Sequence, residues 1–289
     1  MTDRKELYAS VTAHVVRQIE EGAGEWRMPW AAIAETGQPV NVTTHQPYRG
    51  GNHMWFAMVA QARGWGGHWA TYKQWASIGA QVRKGERATF GVHWSTVVRK
   101  DEAGAEIGER RLVPHAFSVF NAGQVDGWEA PAEAPRDTPE RVAEADRFFG
   151  AVGASVRHGG NQAFYSPPSD FIQLPELVQF SSAVAYYATS AHEHAHWTGH
   201  GARLARDLSG RFGTDAYAAE ELVAELSAAF TCAHLGISTT PRPDHAAYLA
   251  SWLRVLRADP SALFTMASKA QAATDYLVGR ASSRAEMAA

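Results

Sequence analysis

Cysteine is nearly missing: Cys232 stands alone among 289 residues, which excludes an internal disulfide and fits a reducing compartment. Long apolar runs are missing as well, since no uncharged apolar stretch nears the roughly 18 residues of a membrane span. The opening Met1-Thr2-Asp3-Arg4-Lys5-Glu6 runs straight into a polar amphipathic pattern rather than an apolar leader, so a cytoplasmic protein is expected. No charge of one sign dominates, with 27 Lys+Arg against 30 Asp+Glu, and no internal repeat is evident. With 45% hydrophobic and 20% charged residues, the chain has the composition of a folded globular protein and length enough for one large or two ordinary domains.

The even charge balance hides an asymmetry. Residues 26–100 carry nine cations (Arg27, Arg49, Arg63, Lys73, Arg83, Lys84, Arg87, Arg99, Lys100) against Glu35 and Glu86, and hold seven of the ten tryptophans. Residues 129–289 carry 13 Lys+Arg against 18 Asp+Glu. Cations interleaved with aromatic rings suit a single-stranded nucleic acid, where cations follow the backbone and rings stack on bases. At least half of the tryptophans are expected in the core, because large rings are more often buried than displayed. In Tyr48-Arg49-Gly50-Gly51-Asn52 the glycines allow close backbone approach, making Arg49, Tyr48 and Asn52 candidates for phosphate, base and sugar contacts.

Helical spacing of Leu7, Val11, Val15 and Ile19 predicts a helix over 3–22, capped by Asp3 and Glu6, with further helices over 53–62 and 72–79. Phe90, Val92 and Trp94 alternate as in a half-buried strand, and a return strand is expected over 112–120 across a charged loop, 100–110. The Pro- and Ala-rich stretch 129–139 has no apolar period and reads as a linker. Beyond it, Thr138-Pro139 starts a helix running to Gly153. A hairpin is expected from 156–157 and 163–165 around Gly159-Gly160-Asn161. Phe171-Ile172-Gln173-Leu174 reads as a strand whose edge is suited to pair with a peptide. Two last helices are expected over 246–258 and 261–278, with a frayed tail after Gly279.

One stretch carries specific chemistry. In Ala191-His192-Glu193-His194-Ala195-His196, two imidazoles four residues apart share a helix face and can bind one metal ion. Glu193 sits roughly 100° further round, able to reach a water at the metal as general base. Ser181 or Ser182 can cap this helix and Gly199 ends it. His194, between the two, is expected to be a polar or packing residue. A catalytic zinc site normally has three protein ligands and one open position. The best source of the third is Glu220-Glu221-Leu222-Val223-Ala224-Glu225, on a helix whose buried stripe is Leu222, Val223, Leu226, Ala229 and Phe230. Glu221 and Glu225 share one flank of that stripe and Glu220 the other, so Glu221 is assigned to the metal and Glu225 to supporting a ligand histidine. A longer three-histidine pattern would need a His at position 202, which is Ala202, and His200 would have to fold back.

Two sets of motifs together resemble one family. Trp26-Arg27-x-Pro29-Trp30, Asn41-x-x-Thr44, Tyr48-Arg49-Gly50-x-Asn52, Thr71-Tyr72-Lys73-Gln74 and Gly79-x-Gln81-Val82-Arg83-Lys84-Gly85 resemble the N-terminal single-stranded-DNA-binding domain of the ArdC antirestriction proteins, shared by plasmid primases of the TraC kind. His192-Glu193-x-x-His196-Trp197-Thr198-Gly199-His200, Arg206-Asp207 and Glu220-Glu221-Leu222-Val223-Ala224-Glu225 resemble the ArdC metallopeptidase domain.

The resemblance implies an α+β fold of two domains: an α+β single-stranded-DNA-binding domain over 1–128, a linker over 129–139, and a mostly helical zincin-like domain over 140–289. It implies His192, His196 and Glu221 as ligands of one divalent metal, zinc first and manganese or another ion second, with Glu193 as base. Tyr72, Lys73, Arg83 and Lys84 join Tyr48, Arg49 and Asn52 as implied DNA contacts. The expected partners are single-stranded DNA and a host restriction protein or other polypeptide, the expected role shielding conjugative plasmid DNA from restriction. A DNA binder with a structural or inactive metal site, and a zinc endopeptidase with no DNA role, are the alternative readings. The chain departs from the family pattern at His194, where an apolar residue is usual, and in the more polar Gly51-Asn52-His53.

Overall fold

A computed structural model of the chain describes residues 4–21, 33, 36–100, 106–131, 136–210, 214–239 and 249–288. The first apolar period forms α1 (Arg4–Glu21), where Val11 and Val15, one turn apart, are fully buried. The expected Asp3 cap and the Trp26–Trp30 motif lie outside the described residues.

The first half is built on a four-stranded sheet in the order β1 (Val40–Asn41), β2 (His68–Ala70), β5 (Glu106–Asn121), β4 (Thr89–Lys100). Only β1 and β2 run parallel. Helix α2 (Gly50–Arg63) covers the sheet, and α3 (Tyr72–Ser77) precedes a small ladder of β3 (Gln81–Val82) with β6 (Val125–Asp126). The β4–β5 hairpin is longer than its apolar pattern suggests, leaving only 101–105 between its strands. Of the row Phe90, Val92 and Trp94, only Val92 is buried. The helix meets the strand there: Asn52 Nδ2 donates to Val92 O (2.7 Å) and the Val92 N–H to Asn52 Oδ1 (2.9 Å). Trp69 and Trp75 are fully buried, and Trp75 Nε1 donates to Phe120 O (2.9 Å).

In the second half Thr138 caps α4 (Pro139–Val152), accepting the Arg141 N–H (3.3 Å). The expected hairpin does not form. β9 (Phe171–Leu174) lies between β7 (Ser155–His158) and β8 (Phe164–Ser166), parallel to the first and antiparallel to the second. Its Ile172 and Leu174 are fully buried and need the central place, so the edge strands are β7 and β8 rather than Phe171–Leu174.

Four further helices follow among the described residues: α5 (Ala183–Thr198), α6 (Asp215–Leu235), α7 (Leu249–Ala258) and α8 (Ala262–Ala288). Helix α8 continues through Gly279, where fraying was expected. The reason is packing: Leu277 and Ala281 are buried with Val152, Ile172, Leu174 and Trp197. The halves also share a core. Val11, Val15, Met54, Ala57, Met58 and Val92 pack in one cluster with Leu222, Leu226, Phe230, Trp252 and Leu263.

Candidate metal centre

Helix α5 is rich in alanine, the best helix former, and Ser182 caps it by accepting the Ala185 N–H (3.1 Å). Helix α6 starts on a Thr214 cap that accepts the Tyr217 N–H (3.3 Å). Its expected stripe of Leu222, Val223, Leu226, Ala229 and Phe230 is buried, which turns Glu221 toward α5.

The structure brings His192, His196 and Glu221 together, one donor atom from each lying within 4.8 Å of the others. The two Nε2 atoms are 3.1 Å apart, and the Glu221 oxygens lie 3.4 Å from His192 Nε2 and 3.5 Å from His196 Nε2. Donors bound at about 2.0–2.1 Å around a tetrahedral ion stand about 3.3 Å apart, so these spacings fit a single small cation. Two imidazoles and a carboxylate are also a donor set that zinc, manganese and similar ions accept.

The outward ring nitrogens are braced. His192 Nδ1 lies 3.0 Å from Glu225 Oε1, where support was expected. His196 Nδ1 lies 3.2 Å from Glu220 Oε1, and this brace was missed: the two-flank picture turned Glu220 away from the site. Glu220 is held in turn by Arg206, whose Nη2 and Nε donate to its two oxygens at 2.8 and 2.9 Å. Arg206 also donates to Thr198 Oγ1 (2.8 Å) and Ala195 O (2.6 Å), pinning the turn after α5 to the end of that helix. Helical spacing could not show this, because Arg206 and Glu220 lie on separate segments; their motifs carried the only signal.

Gly199 ends α5 for a different reason than expected. Its backbone is right-handed (φ −75°), but an added Cβ would lie 2.9 Å from a Leu208 methyl and 3.0 Å from both Arg206 Nη2 and His196 O. Close approach, not a left-handed turn, marks this position, since a Cβ would have to push the Leu208 methyl and the Arg206 guanidinium aside.

The charges around the donors are strongly biased. Burial would raise the Glu221 carboxyl, yet His196, His192 and a hydrogen bond with Tyr217 hold it down at about 2. Glu220 is likewise lowered against burial, by His196 and Arg206. Glu193 is buried on α5 beside His192 and lines the same cleft of about 290 Å³, walled by Phe164 and Tyr165 of β8, Asp207 and Tyr217. His194 points elsewhere. Burial lowers its pKa to about 4, its Nδ1 pairs with Ser190 O (2.8 Å), and its ring lies against Phe149. It is a packing residue, neutral like the apolar residue it replaces. His200 Nδ1 accepts the Ala202 N–H (3.1 Å), outside the donor cluster.

The seven implied DNA contacts lie on three segments, the start of α2, α3 and the turn after β3, and the Asn41 amide joins the first two by donating to the Tyr48 OH and to Gln74 Oε1 (3.1 Å each). Asn52 is occupied by Val92, and Tyr48 is packed edge-on to Phe56 with its OH accepting from Asn41 Nδ2 (3.1 Å). Arg83 is tied to Val125 O (3.1 Å), Glu86 (3.2 Å) and Gly123 O. Tyr72, Lys73 and Lys84 are exposed near the β3 end of the first half, where the Tyr72 OH accepts from Gln81 Nε2 (2.9 Å). Arg49 lies at the start of α2 and pairs with Asp275 of α8 across the two halves. Among the described residues no helix is long and apolar enough to cross a membrane.

Comparison with known proteins finds two family matches along the chain. Residues 5–125 match the N-terminal domain of anti-restriction factor ArdC, and residues 143–269 match the zincin-like metallopeptidase family. Protein y4eC of Sinorhizobium fredii is 46% identical over 284 residues, covering 94% of this chain and 91% of that one. DNA primase TraC of Escherichia coli is 36% identical over 96% of this chain, which spans only 20% of the primase. The metal-free crystal structure of the antirestriction protein ArdC from plasmid R388 aligns with a TM-score of 0.79 at 36% identity, covering 96% of this chain and 98% of that one. Its Mn(II)-bound form aligns with a TM-score of 0.77 at 35% identity, over 95% and 98%. The zincin-like domain, the Mn(II)-bound relative and the three converging donors together support a divalent metal here. An ArdC N-terminal domain followed by a zincin-like domain, matched along nearly the whole length of an ArdC protein, makes this chain a member of the ArdC antirestriction family.

Proposed function

We propose that the protein binds single-stranded DNA, protects incoming conjugative DNA from restriction, and acts on a polypeptide through the α5–α6 site. His192, His196 and Glu221 are the metal ligands in this reading, braced by Glu225 and Glu220, and Glu193 is the general base. The observation that carries it is the meeting of His192, His196 and Glu221 at the spacing of one small cation, with Glu193 lining the same cleft. A divalent ion held there by His192, His196 and Glu221 would polarise a carbonyl and bring the pKa of a water to about 7. Glu193 takes the proton of the attacking water and returns it to the leaving amine nitrogen. Tyr217 steadies Glu221 by hydrogen bonding, and β8 forms the wall along which a polypeptide lies.

The DNA part rests on the match to the ArdC N-terminal domain, the kinship with a DNA primase, and the cation and tryptophan content of residues 26–100. Purified protein is expected to hold a divalent metal, zinc foremost, by elemental analysis. His192→Ala and Glu221→Ala are expected to lose it, and full metal content in both variants rejects the ligand assignment.

The same bracing would also serve a metal that only holds α5 to α6, so Glu193→Ala decides between the two roles. It leaves ligands and braces in place. Loss of plasmid protection with DNA binding retained supports hydrolysis, and retained protection supports a structural metal.

A further inference from the structure

The metal cleft has two walls. Phe164 and Tyr165 of β8 form one, and the other is the segment after α5, with Asp207 and Leu208, followed by Tyr217 of α6. Phe164 is 41% exposed, so an aromatic surface stays open along the first wall. Four carboxylates line the cleft, and among the described residues no Lys or Arg does. Three of the four have a role in the reading above: Glu221 binds the metal, Glu220 braces His196 and is held by Arg206, and Glu193 is the base. Asp207 has none. It lies outside the donor cluster and makes no ion pair among the described residues.

This carboxylate is nevertheless held in place. Its Oδ1 accepts both the Ser209 N–H (3.0 Å) and the Ser209 hydroxyl (2.6 Å), which leaves Oδ2 uncommitted on an exposed side chain. The Ser209 hydroxyl foremost, then its N–H and the charge of Lys269, hold the carboxyl below the ordinary carboxylate range. The segment that carries it is fixed at both ends. Before it, Arg206 is bound to Glu220, Thr198 and Ala195 O. After it, Gly210 packs on the first turn of α6, where a Cβ would lie 2.6 Å from Tyr217 N and 3.0 Å from Ala216 C. Those are backbone atoms that cannot swing away, so close approach requires glycine there.

We infer that Asp207 receives a basic side chain of the polypeptide, so that the substrate carries a lysine or arginine beside the bond to be cleaved. The inference rests on the polypeptide reading of the α5–α6 site and names what that site prefers. Three features select a cation on an apolar stem over other side chains. A carboxylate with an uncommitted oxygen attracts a positive group and repels an acidic one. A cleft lined by no Lys or Arg leaves that charge unanswered until a substrate supplies one. Phe164 and Leu208 offer apolar surface on which the methylenes of lysine or arginine can lie while the charged head reaches the carboxylate. The free amino terminus of a chain has the charge but no such stem.

The test is fluorescence anisotropy with the full-length chain loaded with a divalent metal, in the Glu193→Ala background, which keeps the ligands and removes the general base. The probes are fluorescein-labelled octapeptides of alanine and serine, blocked at both ends, that differ at one central position: lysine, norleucine or glutamate. The lysine peptide is expected to bind about three- to fivefold tighter than the norleucine peptide, and the glutamate peptide most weakly, with the differences shrinking as salt is raised. Asp207→Asn keeps an oxygen for Ser209 and is expected to remove the preference, and Asp207→Lys to reverse it in favour of glutamate. Elemental analysis and thermal unfolding check that both variants keep metal and fold. Equal affinity for the lysine and norleucine peptides, or a preference that persists in Asp207→Asn, overturns the inference and leaves the polypeptide reading standing. A free-ended norleucine peptide that matches the blocked lysine peptide, and loses that affinity in Asp207→Asn, assigns the carboxylate to the chain terminus and overturns it as well. No binding of any peptide to the metal-loaded protein overturns both.

Discussion

Glu220 and Glu225 lie beside the outward nitrogens of His196 and His192, and the hydrogen bond between Glu220 and His196 Nδ1 sets the orientation of that imidazole before a metal arrives. Glu220→Ala and Glu225→Ala are each expected to weaken divalent-metal affinity about 10- to 100-fold, measured by competition with a chelating dye. Arg206→Ala should reproduce much of the Glu220 effect, since Glu220 loses both hydrogen bonds that hold it. Unchanged affinity in all three would make the braces irrelevant to the metal.

A second residue-scale prediction concerns pH. His53 is buried and stacked on Phe230 with centroids 4.3 Å apart, and burial lowers its pKa to about 3. The unfolded chain takes up its proton near pH 6.5 while the native state refuses it. The contribution is therefore whole above pH 6.5 and is lost as pH falls toward 3. His53→Phe should remove up to about 3 kcal/mol of the stability lost between pH 6.5 and 4, read from urea unfolding at both pH values. The spacing of His192, Glu193 and His196 was legible because helix geometry fixes it locally. The Arg206–Glu220–His196 chain was not, because its three members meet only when α5, its following turn and α6 are packed.

Two glycines expected at helix ends behave in opposite ways, and the contrast belongs to the elements that hold them. At Gly199 the turn after α5 folds back under Arg206 and Leu208, so a methyl group would displace both side chains. Gly199→Ala is expected to cost about 1–3 kcal/mol and to lower metal affinity, because the displaced Arg206 also holds Glu220. At Gly279, inside α8, a Cβ meets nothing within 4 Å, and the glycine only adds backbone freedom. Gly279→Ala is expected to stabilise the protein by about 0.5–1 kcal/mol, measured by thermal unfolding. Reading Gly279 as a helix end was the reverse of what packing allows, since Leu277 and Ala281 are covered by residues some hundred positions earlier. The central place of β9 was hidden for the same reason. Its four residues alternate as an edge or a central strand would, and only the burial of Ile172 and Leu174 decides which. Helices α1, α4 and α5 were legible almost to the residue, while α6 was legible only through its stripe from Leu222 to Phe230.

The division expected from composition at 129–139 is one that the packing ignores. Phe230 of α6 lies in the same buried cluster as Met54, Ala57 and Met58 of α2 and stacks on His53, while Thr12 of α1 donates to Pro260 O (2.8 Å) just before α8. Composition showed where the chain changes character but could not show that both parts spend their apolar faces on each other. A core shared in this way ties the stability of the halves together, so the whole chain is expected to unfold in one transition. Seven of the ten tryptophans lie in residues 26–100, so intrinsic fluorescence reports mainly the first half, while far-UV circular dichroism is weighted to the longer helices of the second. In urea the two signals should share one midpoint. Phe230→Ala removes a ring from the shared core at a cost of about 3–5 kcal/mol and should lower both midpoints equally, although the substitution lies in the second half. A fluorescence midpoint that stays in place while the dichroism midpoint falls would make the halves independent folding units.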